Sequence, residues 1–205
     1  MVDSTRVVYD SLDKNIITKL EKNEQRSVML TFDDGPGRAL PEILDILHQE
    51  NVRAGFFWQS RLLHPERPWK RVLDEGHFIG SHSCSHKNLV RLTLKDQLAD
   101  LSKSKNVIED VIGQEIKYFR PPFGQYNDDT IAAAKQLGLQ TVMWRISSMD
   151  WELEDDPEQI IKFVTENLED QAIILLHELP QTVKILPALI QQIKEQGFQF
   201  QILER

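Results

Sequence analysis

The chain of 205 residues is long enough to bury a substantial core as one domain, and no linker rich in Gly, Pro or Ser marks a second. Lys and Arg number 24 against 32 for Asp and Glu, a formal charge of −8 that argues against nucleic acid or an anionic membrane surface as the main partner. Cys84 is the only cysteine, which excludes an intrachain disulfide, and residues 1–15 hold no apolar run of the kind a signal peptide or a membrane span requires.

After a polar N-terminal stretch, short apolar runs alternate with amphipathic segments, the pattern of β/α units around a mainly parallel sheet. Strands are expected near Val28–Phe32, Arg53–Trp58, Phe78–Ser81, Tyr118–Arg120, Leu139–Trp144, Ala172–Leu176 and Phe198–Ile202, about seven in all. Between them, Thr93 suits a helix N-cap, with Leu94, Leu98, Leu101, Ile108 and Ile112 at helical spacing and Gly113 as the stop. Pro41 and Pro157 suit first turns, and Gly138 and Gly197 suit helix ends. The acidic run from Trp151 to Glu158 reads as a solvated loop whose Asp156 caps the helix that follows.

Polar residues follow the expected strands: Asp33 and Asp34, then His82 and His86, Arg120, Asp150 and Trp151, and finally His177. In parallel α/β folds the carboxyl ends of the strands share one face, so groups scattered in sequence converge in space.

The convergent set suggests a chemistry. His82 and His86 stand four apart, and a helical turn there would put both imidazoles on one side, with Cys84 between them as a small buried residue. Two histidines and one carboxylate form a facial set that suits zinc or a similar divalent ion and leaves a position for water. Asp-Gly after a strand is also an ordinary turn signal, but a second carboxylate beside a ligand is well placed as general base for that water. Arg120, in a rigid loop with two prolines, can orient such a base. His177 ends the apolar run AIILLH and can donate a proton to a leaving nitrogen, with Asp150 pairing it. Trp151, beside Leu175, walls a small apolar pocket or belongs to the core.

The segments TFDDG, HSCSH, RPPFG, DW and LLH, in this order, resemble the five motifs of the NodB-homology polysaccharide deacetylases, the fourth family of carbohydrate esterases, across about residues 28–203. The resemblance implies an α/β fold, a distorted and incomplete (β/α) TIM-like barrel. It implies Asp33 as base, Asp34, His82 and His86 as metal ligands, and Arg120 as the group that orients Asp33. It further implies that the Phe123 N–H polarises the acetyl carbonyl, that Trp151 and Leu175 line the pocket for the acetyl methyl, and that His177, held by Asp150, protonates the departing amine. Two departures stand out: Ser147 replaces the first aspartate of the fourth motif, and Phe123 replaces the usual tyrosine.

The implied reaction is metal-dependent release of acetate from an N-acetylglucosamine-containing glycan, chitin oligomers or peptidoglycan. Zinc is preferred on ligand type, with cobalt, nickel or manganese as substitutes. The whole chain is expected to be one deacetylase domain preceded by an N-terminal extension over residues 1–27, acting as a monomer. Glycans of this kind lie mostly outside the cell, which favours an extracellular or cell-surface site, although the chain shows no export signal. The rival readings are a hydrolase of a small amide or imide on the same fold, which tends to alter the metal set, and a carbohydrate-binding relative without catalysis. A phosphoacceptor domain is set aside because imidazole is a poor magnesium ligand.

Overall fold

The computed structural model describes residues 4–203. Among the described residues nine short strands form one parallel sheet: β1 (Ile16–Ile17), β2 (Ser27–Gly35), β3 (Ala54–Trp58), β4 (Phe78–Ser81), β5 (Tyr118–Phe119), β6 (Gln140–Val142), β7 (Ile146–Ser147), β8 (Ala172–His177) and β9 (Gln199–Phe200). Their spatial order is β1-β6-β5-β4-β3-β2-β8-β7, with β9 paired to the start of β2. This is a distorted, incomplete (β/α) barrel, as the motifs imply. All seven expected strands are present, and the structure adds β1 and β7, of two residues each.

Six α-helices cover the sheet: α1 (Leu40–Gln49), α2 (Trp69–Asp74), α3 (Leu94–Ile112), α4 (Asp128–Gln136), α5 (Glu158–Thr165) and α6 (Pro180–Glu195). Thr93 caps α3 as expected, its hydroxyl accepting from the Asp96 N–H at 3.3 Å, and Gly113 ends it with φ 72°. Gly138 and Gly197, at φ 71° and 81°, turn the chain after α4 and α6. The expected cap at Asp156 takes another form. Pro157 occupies the N-cap of α5 without a side-chain bond, and Asp156 contributes its backbone carbonyl to the Gln159 N–H instead.

The central strands β2, β3 and β8 are apolar on both faces because helices pack outside and side chains fill the interior. Phe32 stacks on Phe56 with ring centroids 5.2 Å apart, and both are fully buried. The N-terminal segment completes this scaffold. Val8 bridges Ile146 in antiparallel sense, Ser147 N–H donates to the Val7 carbonyl at 2.7 Å, and Met143 N–H donates to the Ile17 carbonyl at 2.8 Å. Residues 7–20 thus lie along the interrupted edge between β6 and β7. Among the described residues no helix is long and apolar enough to cross a membrane.

Candidate active site

The carboxyl ends of β2, β4, β5, β7 and β8 open into a cavity of about 650 Å³ lined by Asp33, Asp34, His82, His86, Phe123, Trp151, Leu175 and His177, among others. Every cavity-facing residue expected from sequence is there. Arg120 and Asp150 lie behind it, each fully buried, and reach it through Asp33 and His177.

How two adjacent strand residues face one cavity is a matter of backbone geometry. Successive side chains on a strand point to opposite faces. Asp33 pairs with Phe57 and Gly35 with Trp58 across the β2/β3 ladder, so Asp34 is an extra residue bulged out of register, with φ 66°. A bulge re-aims a side chain, and here it brings the second carboxylate to the side of the first. Asp33 Oδ2 and Asp34 Oδ1 each lie 3.7 Å from His82 Nε2.

The histidines also meet by a route the spacing does not reveal. Residues 83–85 form a turn in which Ser83 adopts φ 67°, followed by His86 at φ 57°, and the His86 N–H is held by Ser83 Oγ at 3.0 Å. The expected helical turn is therefore absent, because left-handed residues break the i, i+4 register. The rings nonetheless sit 4.9 Å apart between centroids. Cys84 is half-buried, not buried; its N–H donates to Asp100 Oδ1 at 2.9 Å.

Asp34, His82 and His86 offer one ligand atom apiece, all within 4.8 Å of one another, a spacing that admits a common ion. The donor chemistry fits as well. His82 Nδ1 faces the Arg120 carbonyl at 2.8 Å, and a carbonyl only accepts, so the proton resides on Nδ1 and the Nε2 lone pair points to the cavity. Burial and the neighbouring His82 pull His86 below the usual histidine range despite the opposing fields of Asp34 and Asp33, which favours the neutral ligand form. For Asp34, burial opposes ionisation, but His82, His86, His177 and a 2.7 Å hydrogen bond from Gln59 Nε2 outweigh it and hold the carboxyl below its ordinary value.

Behind the ligand set, Arg120 Nη1 donates to Asp33 Oδ1 and to Thr31 Oγ1, both at 2.8 Å. Its remaining nitrogens donate to the carbonyls of Val142 and Met143, and its guanidinium lies 4.2 Å over the Phe57 ring. Four hydrogen bonds, two to β2 and two to the end of β6, and the Phe57 ring on β3 thereby fix the guanidinium plane, which leaves the Asp33 carboxylate one orientation. Burial alone would favour an uncharged guanidinium; the Asp33 charge and hydrogen bond oppose it.

On the opposite wall, His177 Nδ1 bonds Asp150 Oδ1 at 2.7 Å, and Asp150 is itself fixed by the His177 N–H and the Thr182 hydroxyl. Burial pulls His177 down, yet Asp150, then Asp33 and Asp34, raise it to about 9. Trp151 packs edge-on against the His177 ring at 5.0 Å and is 39% exposed, so it belongs to the cavity rim and not to the core. Leu175 forms the floor at 2% exposure, and Phe123, at φ 60°, packs against His86 with ring centroids 4.4 Å apart. Ser147, buried, donates to Met149 Sδ at 3.3 Å.

Three residues near the site escape a reading of motifs. Gln59 bonds Asp34, while Trp58 and Glu178 bond each other at 2.8 Å beneath the turn that carries both aspartates. Glutamine and tryptophan after a strand carry no spacing signal, and Glu178 looks like any polar residue after His177.

The comparisons with known proteins agree with this geometry. A peptidoglycan-N-acetylglucosamine deacetylase of Bacillus cereus is 30% identical over 202 residues, 93% of this chain and 74% of the relative. A family 4 carbohydrate esterase from Streptomyces lividans, solved in complex with acetate, superposes with a TM-score of 0.81 at 27% identity over 87% of this chain and 93% of that one. A family 4 carbohydrate esterase pseudoenzyme from Bacillus anthracis superposes with a TM-score of 0.82 at 27% identity, over 92% and 67% of the two chains. The sequence profile described as polysaccharide deacetylase matches residues 20–142, well over half of the chain and three of the five motifs. With that match, the barrel and its order of motifs, the chain belongs to the polysaccharide deacetylase family.

Proposed function

We propose that this protein is a metal-dependent hydrolase that removes the acetyl group from N-acetylglucosamine units of a glycan, with peptidoglycan the favoured polymer and chitin oligomers the alternative. The observation that carries the reading is the meeting of Asp34, His82 and His86 within 4.8 Å, flanked by Asp33 on one side and His177 on the other. Peptidoglycan is favoured because the Bacillus cereus relative, similar over 93% of this chain, is named for that substrate.

Asp34, His82 and His86 would hold a divalent ion, zinc by preference, whose Lewis acidity polarises the acetyl carbonyl and makes water more acidic. Asp33 is the base. Its Oδ1 is occupied by Arg120, which leaves Oδ2 facing the cavity to take the proton of the attacking water. The proton held on His177 Nδ1 by Asp150 orients the ring so that Nε2 faces the cavity, where it delivers a proton to the amine nitrogen as the C–N bond breaks. Water adds to the acetyl carbon, and acetate and a free amine leave. Leu175 and Trp151 shape an apolar wall fitted to the acetyl methyl, and the Phe123 N–H is the donor for the oxyanion.

The test is acetate release from N-acetylglucosamine oligomers and from peptidoglycan after chelator treatment and again after zinc is restored. Zinc-dependent release from either substrate supports the reading. Absence of release from both would overturn it in favour of an inactive carbohydrate-binding relative, as the similar Bacillus anthracis protein is a pseudoenzyme.

A further inference from the structure

We propose that Glu178, which directly follows His177, is a positioning residue: its carboxylate clamps the turn from Asp33 to Gly37 and so holds Asp34 against His82 and His86. The inference rests on the reading of those three residues as ion ligands.

Glu178 is 8% exposed, and its carboxylate bonds Gly37 and Trp58 and none of the reacting side chains. Its Oε2 accepts from the Gly37 N–H at 2.5 Å, its Oε1 accepts from Trp58 Nε1 at 2.8 Å, and its own N–H donates to the Asp33 carbonyl at 3.4 Å. The carboxylate thus joins the ends of β2, β3 and β8 at one level. It also fills the space beneath Gly35, where a Cβ would stand 1.8 Å from Oε1 and 2.6 Å from Trp58 Nε1. Only glycine lets the turn approach so closely.

The turn needs such a clamp because Asp34 sits at φ 66°, a conformation that an L residue keeps only when its surroundings impose it. The next residue along β3 adds a second grip. Gln59 donates from its backbone to the Gly35 carbonyl at 2.9 Å and from its side chain to Asp34 Oδ1 at 2.7 Å. Trp58 and Gln59 therefore hold the turn from one strand, and Glu178 holds it from the other. Burial pushes the Glu178 carboxyl up to about 7 against the pull of the Gly37 and Trp58 donors, so the chain keeps a costly group there. The two N–H donors account for its place.

The experiment measures zinc affinity by competition with a chromophoric chelator on metal-stripped protein, together with thermal melts, for wild type, Glu178→Ala, Glu178→Gln and the double variant Glu178→Gln/Trp58→Phe. Groups that orient a ligand commonly contribute about 10–100-fold to metal affinity. Both single variants should lose affinity on that scale while melting cooperatively. Glu178→Gln sets its NH2 against either the Gly37 or the Trp58 N–H; removing the indole donor lets the amide oxygen accept from Gly37, so the double variant should recover affinity over Glu178→Gln. Affinity within about twofold of wild type in both single variants, or no recovery in the double, would overturn the proposal, as would failure of both single variants to fold, which would assign Glu178 to the fold as a whole. Wild-type protein that takes up no zinc would instead overturn the ligand set itself, and this inference with it.

Discussion

Arg120 and Asp33 meet at 2.8 Å with side-chain exposures of 0% and 3%, so the guanidinium is sealed from water and Asp33 keeps only its Oδ2 side toward the cavity. Removing one member of such a pair strands the other, at a cost of about 3–5 kcal/mol. Arg120→Met should therefore lower the stability measured by denaturant unfolding by about that amount and reduce kcat by roughly 100-fold or more through loss of an oriented base. Arg120→Lys restores a charge but not the planar fork that serves Asp33, Thr31, Val142 and Met143 together, and it should rescue stability more than turnover. Full activity in the lysine variant would show that a charge alone, without the fixed fork, is enough to orient Asp33.

The two adjacent aspartates should separate cleanly in metal binding. If Asp34 is a ligand and Asp33 a base, zinc at about 100 times its Kd should stabilise the wild type by about 2.7 kcal/mol, a rise of several degrees in Tm. Asp33→Asn should keep that rise and lose turnover by about 100- to 10,000-fold. Asp34→Ala, His82→Ala and His86→Ala should each lose the rise. An equal zinc response in Asp33→Asn and Asp34→Ala, whether present or absent in both, would contradict the division of labour between them.

His177 gives a pH dependence whose sign is fixed by its surroundings in the metal-free protein. Burial lowers its pKa, but Asp150, Asp33 and Asp34 together raise it to about 9, above the ordinary histidine value near 6.5. The folded state then binds the proton more tightly than the unfolded chain does, so the contribution is complete below pH of about 6.5 and disappears as pH rises through about 9. It amounts at most to about 3 kcal/mol. In the presence of a chelator, the difference in Tm between wild type and His177→Asn should be greatest near pH 6 and shrink toward pH 9. A difference that grows with pH would reverse the assignment, and Asp150→Asn should flatten the profile, because it removes the largest raising influence.

What the sequence made legible follows from which physics is local. Strand ends followed by Asp, His, Arg and His are visible because apolar runs and polar breaks are adjacent in the chain, and the parallel fold supplies the convergence. The positive φ values at Asp34, Ser83 and His86 were not legible, since nothing short of the ladder register distinguishes a bulge from a plain turn. Arg120 could equally be read as a surface arginine over a strand end, because its burial depends on carbonyls from residues 142 and 143 and a ring from residue 57. Glu178 and Trp58 escaped notice for the same reason: 120 positions separate the two halves of their hydrogen bond.

The N-terminal segment offers the last test, since the sequence reading treats residues 1–27 as an extension while the backbone ties part of them into the barrel. Val7, Ile16 and Leu20 are 1%, 8% and 6% exposed, and each such side chain contributes about 1.5–3 kcal/mol by burial. The segment also supplies carbonyls to Ser147 and Met143 and an N–H to Gln171. Deleting residues 1–20 removes burial worth roughly 5–9 kcal/mol, comparable to the whole stability of a typical domain at about 5–15 kcal/mol. It also bares the edges of β6 and β7 beside Ser147 and Met149, on the cavity wall. The truncated chain should aggregate or lose cooperative unfolding, judged by size-exclusion chromatography and circular dichroism. A truncated protein that melts cooperatively near the wild-type Tm and still responds to zinc would make the segment an appendage after all.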